Sequence, residues 1–392
     1  MNREDIESVW RSVGAVFSLL NVDFIASTAD SSSIDSESSH YVTEACCLLA
    51  ISENELKKEF TMTTLKLGEG PVITTLTKAK TIDARDSFCK AVYDNLFGYL
   101  VNTINKTINT DDYFTWVALL DIFGFKDFKG NSFEQLCINL TNETFQRRYN
   151  HYIFTRDMDE CREEGIDVTE IVFPDNSACV DMITGKGGIL DVLDEDCLLS
   201  KATDLSFLEK ISDRFAGKSP FFDRPRISKN PCFRVKHYAG TVTYVVDGFI
   251  EKNRDTLKGA FKILLDSSTD NVIKTLLPMP DPDNKSRYTV GGFFRNQLKE
   301  LMEVINSTNP HWIRCIKPHP AKKPLHFGGL QTLTQLRSSG VIGTVKIRKA
   351  GYPIRVFSAD FVKKYKIIVR SETLDFGDTM GVTKAILKAL EF

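Results

Sequence analysis

No uncharged apolar run in the 392 residues approaches a membrane span, so no transmembrane helix is expected. Neither sign of charge prevails. With 50 Lys and Arg against 52 Asp and Glu the formal charge is -2, and no global field directs the chain to nucleic acid or to an anionic membrane. Cysteine is present but unpatterned. Cys46, Cys47, Cys89, Cys137, Cys161, Cys179, Cys197, Cys232 and Cys315 include no CxxC pair and stand with no His at zinc-ligand spacing, which argues against a zinc module. Lying mostly in apolar stretches, they are expected as buried thiols of a reducing cytosol. An apolar leader is missing too, because Met1-Asn2-Arg3-Glu4-Asp5 runs straight into an amphipathic pattern. A cytoplasmic protein is therefore expected. No internal repeat stands out, and a composition of 42% hydrophobic and 26% charged residues suits a large core with more than one subdomain.

What is present is mostly helical in pattern. Ile6, Val9, Val13, Phe17 and Leu20 recur at helical spacing, and the Ser- and Asp-rich stretch from Ser27 to Ser39 is expected as a flexible surface loop. From Asp83 to Asn105 one stripe of Phe88, Val92, Leu96 and Leu100 opposes Arg85, Lys90 and Asp94, which predicts a helix. The run Trp116 to Ile122 is short, apolar and bounded by polar residues, as a strand buried on both faces would be. Ser132 and Gln135 then form a capping-box pair, and the helical pattern continues up to Gly165, giving a helix of about 45 Å. Phe233 to Val246 alternates and breaks at Ala239-Gly240, which predicts a hairpin. Trp312 to Ile316 reads as another short strand. Beyond it, Gly340, Gly343 and Gly351 punctuate a basic helical stretch that stops at Pro353.

Several strings resemble the myosin motor pattern, in family order. They are LLDIFGF (Leu119 to Phe125), NSFEQLCINLTNETFQRRYNHYIF (Asn131 to Phe154), HYAGTVTY (His237 to Tyr244), GFIEKNRDTL (Gly248 to Leu257), HWIRCIKPH (His311 to His319) and QLRSSGVIGTVKIRKAGYP (Gln335 to Pro353). The resemblance implies a mixed α/β, predominantly helical fold: an incomplete P-loop NTPase myosin motor with a partial central sheet. Residues 1–115 would be a remnant of the upper actin-binding subdomain. Residues 116–310 would hold switch II, the relay helix and the lower actin-binding subdomain, residues 311–353 a sheet strand with reactive-thiol-type helices, and residues 354–392 a truncated converter.

By the same resemblance, Asp121 would reach a magnesium ion through water. Gly124 would offer a bare N–H to the γ-phosphate of ATP, an approach that a Cβ would obstruct. Two residues on, the family has a Glu that pairs with an Arg of switch I, and this chain has Lys126, so ATP would be bound more readily than hydrolysed. The chain carries no GxxxxGK[ST]. Gly217-Lys218-Ser219 lacks the first Gly and is followed by Pro220, so it is expected as a surface turn. On the family pattern the phosphate loop and switch I lie upstream of Met1, in a missing N-terminal half. The strand ending at Asp121 would then have no ladder partners, and the chain alone would misfold, aggregate or dimerise along that edge.

Actin filaments are the implied partner. Leu198 and Leu199, with Lys201 beside them, match the apolar tip that touches actin, although a Leu pair read without the family would be core. Glu69, in the segment Leu65 to Lys80, stands next to the position where the family places an acidic or phosphorylatable residue. The short loop Pro278 to Tyr288, with Lys285 and Arg287, replaces a Lys-rich steering loop. Gly340 and Gly351 match hinges of the swinging helices, whereas Ser338 and Arg348 stand where muscle-type heads have reactive Cys. Gly343 replaces a usual Glu and loosens its helix by up to about 1 kcal/mol. No light-chain-binding IQ segment is present, and no nucleic acid is expected as a partner. The expected function is a cytoskeletal motor segment that binds actin and couples ATP hydrolysis to movement when completed. Its alternatives are an ATP-independent actin-binding fragment and an inactive truncated gene product.

Overall fold

The computed structural model describes residues 1–67, 70–109, 114–163, 175–199, 201–254, 259–277, 289–350, 354, 356–369 and 377–390. In chain order the first helices and strands are α1 (Arg3–Leu20), β1 (Phe24–Thr28), β2 (Ser31–Ile34), α2 (Ser39–Leu49), α3 (Glu53–Thr61), β3 (Met62–Leu67), β4 (Gly70–Thr75) and α4 (Lys78–Ile108). The middle of the chain gives α5 (Phe133–Glu163), α6 (Ser177–Thr184), α7 (Ile189–Leu198), α8 (Asp204–Phe215), β5 (Phe222–Asp223), β6 (Cys232–His237) and β7 (Gly240–Val245). Then come α9 (Phe249–Asn253), α10 (Gly259–Asp266), α11 (Asn271–Lys274), α12 (Val290–Asn306), α13 (Gly329–Ser338), α14 (Val341–Ala350), α15 (Ser358–Tyr365) and α16 (Thr379–Ala389). The predominantly helical expectation holds, with small antiparallel sheets β1-β2, β3-β4 and β5-β6-β7.

The chain divides into two units. The first gathers Met1–Ile122, Ile189–Glu209 and Asp247–Val304. Its core is built on aromatic contacts that bring together residues far apart in sequence. Phe60 of α3 meets Phe24 at 6.2 Å, Phe88 at 6.2 Å and Phe261 at 5.7 Å, and Phe88 meets Phe261 at 4.7 Å. All four are essentially sealed from water, each worth roughly 1.5–3 kcal/mol of burial.

Helix α1 forms as its spacing predicts, with Asn2 and Asp5 capping each other at its start, but of the expected stripe only Val9 and Val13 pack, partly buried, against the core. Ser8, Ser12, Ala15 and Leu19 are inside, whereas Ile6, Phe17 and Leu20 are exposed. Small residues let α2 come close, so that a Cβ on Gly14 would already stand 3.2 Å from Leu48. The Ser hydroxyls are satisfied locally or by Asp270, to which Ser8 donates at 2.6 Å. The Ser-rich stretch is likewise not a loop throughout. It supplies the β1-β2 hairpin, and the buried Ser32 hydroxyl donates to Leu76 O at 2.9 Å and lies 2.6 Å from Thr81 Oγ1. Helix α4 buries Phe88, Val92 and Leu96 as expected. Arg85, expected on its outer face, instead turns inward to donate to Val22 O at 2.6 Å.

The second unit comprises Phe123–Gly188, Lys210–Val246 and Ile305–Phe392. The long helix is present as α5, 31 residues or about 46 Å, and its first turn is fastened by Gln135 accepting from Ser132 N–H at 2.8 Å. The expected hairpin is β6-β7, turning at Tyr238-Ala239, and Phe222, Phe233 and Tyr244 stack across the sheet at 5.8 and 5.5 Å. A surface turn follows α8 at Gly217-Lys218, with φ of 71° at Gly217.

Both segments expected to supply the partial central sheet depart from expectation. Residues 116–122 and 312–316 take no regular secondary structure and pair with no described strand. Val117 is 94% and Leu119 93% exposed, so Asp121 ends no strand. A strand is defined by its neighbours, and without ladder partners an apolar run has nothing to hold its backbone groups. Trp312 uses its ring instead, edge-on to Tyr149 of α5 at 5.3 Å. The cysteines are buried as expected except for exposed Cys47 and Cys315 and half-buried Cys197.

Candidate functional site

Helix α5 grips the loop that precedes it. Asn139 Oδ1 accepts from Lys126 N–H and its Nδ2 donates to Lys126 O, both at 2.7 Å, while Asn142 Nδ2 donates to Phe123 O at 2.9 Å. Gly124 lies inside this clamped loop, and a Cβ there would meet nothing within 4 Å. The Lys126 ammonium stands 5.6 Å from the centroid of Phe123 and 6.0 Å from that of Phe128, so the cation has found aromatic faces. Asp121, in the first unit, is exposed.

The same Asn139 opens a buried chain of polar groups. Its Nδ2 also donates to the Tyr244 hydroxyl at 2.8 Å, Tyr244 lies 2.8 Å from His237 Nε2, and His237 Nδ1 lies 2.9 Å from Glu143 Oε2. Glu143 further accepts from Asn176 Nδ2 at 2.6 Å and from Tyr238 N–H at 3.1 Å. Because Glu143 is surrounded by donors, His237 is assigned as the Nδ1–H tautomer, which leaves Nε2 to accept from Tyr244. Every link is then satisfied. Tyr238 carries the chain outward by donating to Ser338 O at the end of α13, at 2.7 Å. Burial, reinforced by the Glu143 charge, pushes the Tyr238 hydroxyl up, and burial does the same to Tyr244.

Glu143, Cys179 and His237 place their ligand atoms within 4.8 Å of one another, all buried. A metal would need the thiolate of Cys179, and burial together with Glu143 raises that thiol and keeps it protonated. Glu143 and His237 are committed to each other, so these residues form a hydrogen-bonded core cluster.

The Leu tip lies where α7 ends. Leu198 is 75% and Leu199 51% exposed, against the core reading of a Leu pair, and Lys201 is exposed beside them. The tip is held from below. Arg254 donates to Cys197 O and Leu199 O at 3.3 Å each, Asn253 Nδ2 donates to Asp194 at 2.8 Å, and Gly291 N–H returns to Asn253 Oδ1 at 2.7 Å. Arg295 pairs with Asp194, and Asp204 accepts from Gly248 and Ile250 N–H at 2.8 and 2.9 Å.

Gly340 joins α13 to α14 with φ of 74°, and a Cβ there would strike the Gln146 amide of α5, so both its backbone and its surroundings call for glycine. Glu69, Lys285, Arg287 and Gly351 lie outside the described residues.

Sequence reading missed Asn139, Glu143, His237, Tyr244 and Arg254. A signal existed on α5, where Asn139, Asn142, Glu143 and Gln146 form a polar stripe at helical spacing within a helix otherwise expected to bury its apolar face.

Comparison with known proteins places the chain in a family. Residues 1–392 match the family model described as myosin head (motor domain). The chain is 34% identical to human unconventional myosin-Vc over 99% of its length, 36% to Protein OPAQUE1 of Zea mays over 100%, and 35% to Myosin-15 of Arabidopsis thaliana over 100%. It spans about a quarter of these relatives, namely 24%, 26% and 26% of their lengths. With a family match that runs from end to end, the chain belongs to the myosin head, or motor domain, family.

Proposed function

We propose that this chain is the part of an actin-activated, ATP-driven motor that senses nucleotide state and transmits it mechanically. What carries this is the grip of α5 on residues 123–128. With Asn139 holding both polar atoms of the Lys126 backbone and Asn142 holding Phe123 O, the loop cannot shift without breaking these bonds or moving the helix. A rigid helix delivers such a displacement about 46 Å away. Gly340, against Gln146 of that helix, and Gly351 are the hinges at which the adjoining helices swing.

In this role Asp121 would hold a magnesium-bound water and Gly124 would admit the γ-phosphate, as a switch II does. ATP with magnesium supplies the driving reaction. The fit is incomplete: one exposed carboxylate and one open N–H do not make the cradle of N–H groups and Lys that a triphosphate needs, so that cradle comes from other residues. Leu198, Leu199 and Lys201 form the actin contact, joined by Glu69, Lys285 and Arg287, and the protein works on the cytoplasmic cytoskeleton. Exposed leucines on a braced loop suit such a contact, because their burial on a partner is gained without first ordering the loop.

Cosedimentation with filamentous actin, with and without ATP, tests the proposal. Pelleting that is lost in Leu198→Ser/Leu199→Ser is expected. Because the triphosphate cradle comes from other residues, pelleting of this chain should not respond to ATP, and no pelleting would overturn the actin contact.

A further inference from the structure

Charge is balanced over the whole chain but not locally. Between Glu303 and Asp360 there is no Asp or Glu, while Arg314, Lys317, Lys322, Lys323 and Arg337 fall in the same stretch. Three of these, Lys317, Lys322 and Lys323, are brought around one closed loop. Lys317 is fixed at the entrance, where its N–H donates to Gln335 Oε1 and its carbonyl accepts from Gln335 Nε2, both at 2.8 Å. The exit is tied to the entrance by Gly328 N–H donating to Pro318 O at 2.9 Å. A loop of this size with joined ends is a preorganised surface element.

The loop borders a recess of about 520 Å³ that is open to solvent, and Lys317, His319, Lys322, Lys323, His326 and Phe327 contribute to its lining. No carboxylate lines it. Lys322 and Leu325 are held at φ of 51° and 60°, in the left-handed region that non-glycine residues seldom enter, which bends the loop back on itself. Inside, Ala321 N–H donates to His319 Nδ1 at 3.2 Å, so neutral His319 carries its proton on Nε2 as a donor. The His319 and His326 rings lie 5.6 Å apart. Among the described residues no carboxylate pairs with Lys317, Lys322 or Lys323. Arg314 is used elsewhere, over the ring of Tyr149.

We propose that this recess binds a compact, multiply charged phosphate anion, either free or as the headgroup of a phosphoinositide. Lysines serve phosphate as mobile point charges, His319 adds a directed N–H, and the absence of any nearby carboxylate leaves the field uncancelled. The site shares no residue with the clamped loop at 123–128 or with the Leu tip, and it stands or falls independently of the motor role.

The test uses the full chain and inorganic pyrophosphate, titrated calorimetrically at low and at physiological ionic strength. Saturable binding that weakens with salt is expected, with Lys322→Glu/Lys323→Glu weakening it at least about tenfold and Lys229→Glu, an exposed lysine outside the recess, leaving it unchanged. A second measurement needs no variant: pyrophosphate should protect Lys322 and Lys323, but not Lys229, from acylation followed by mass spectrometry. Sedimentation with phosphatidylcholine vesicles, with and without phosphatidylinositol bisphosphate, separates the two sources, since lipid-dependent pelleting assigns a headgroup and its absence assigns a free anion. Failure of pyrophosphate to bind, or equal binding and protection at Lys229, would overturn the proposal.

Discussion

Replacing His237 by Phe keeps a ring of similar shape in the second unit's core and removes two nitrogens that each hold a buried partner. Glu143 would keep Asn176 Nδ2 and Tyr238 N–H as donors but lose the bond at 2.9 Å, and the Tyr244 hydroxyl would keep Asn139 as its donor but have no acceptor. Losing a hydrogen bond to a charged group costs about 1.5–3 kcal/mol, and a buried hydroxyl left without an acceptor about 1–3 kcal/mol. His237→Phe should therefore cost roughly 3–5 kcal/mol. Tyr244→Phe alone should cost roughly 2–5 kcal/mol, because it strands both one N–H of Asn139 and the His237 Nε2 lone pair. In the double variant the stranded hydroxyl is gone, so its cost should fall short of the sum by about 1–2 kcal/mol. Urea unfolding followed by the fluorescence of Trp312, packed on Tyr149 of the same unit, supplies the three free energies. A single-variant cost below about 1 kcal/mol, or additivity within about 0.5 kcal/mol, would refute the assigned chain of donors and acceptors.

Gly340→Ala should destabilise by about 1–2 kcal/mol from its left-handed backbone and by more from the displaced Gln146 amide, and in a Gln146→Ala background urea unfolding should show only the first part. Alkylation with mass-spectrometric readout should find Cys47 and Cys315 modified fast, with Cys46 and Cys89 protected until unfolding, since burial pushes the latter two up to about 12. These two thiols keep their protons in the folded state while the unfolded chain releases them, so their contribution to stability should fall as pH rises from the ordinary thiol range of about 8.5 toward about 12, as denaturant midpoints across that window would register. Lys126→Glu removes the ammonium from the Phe123 and Phe128 faces and should lower the urea midpoint by the equivalent of about 0.5–1 kcal/mol; an unchanged midpoint would show that those ring contacts contribute nothing.

The sequence by itself determined the elements whose information is carried by neighbours along the chain. The 31-residue α5 with its Ser132/Gln135 start, the α4 stripe, the hairpin turning before Gly240 and the turn at Gly217 all rest on spacing and local backbone preference, and all formed. The family, too, was legible in contiguous strings. Tertiary structure decided what depends on a partner distant in sequence. It turned α1 so that Ser8, Ser12, Ala15 and Leu19 are innermost with Val9 and Val13 at the edge of the contact, because Ala15 and Ser12 allow an approach that Phe17 would prevent. It turned a Ser-rich stretch into a hairpin by giving Ser32 the Leu76 carbonyl, and it denied residues 116–122 strand status for want of a ladder. It also joined Asn139, Tyr244, His237 and Glu143 across about a hundred positions. Periodicity specifies what a segment can become, but a hydrogen bond needs its second atom, and only the folded chain brings that atom within reach.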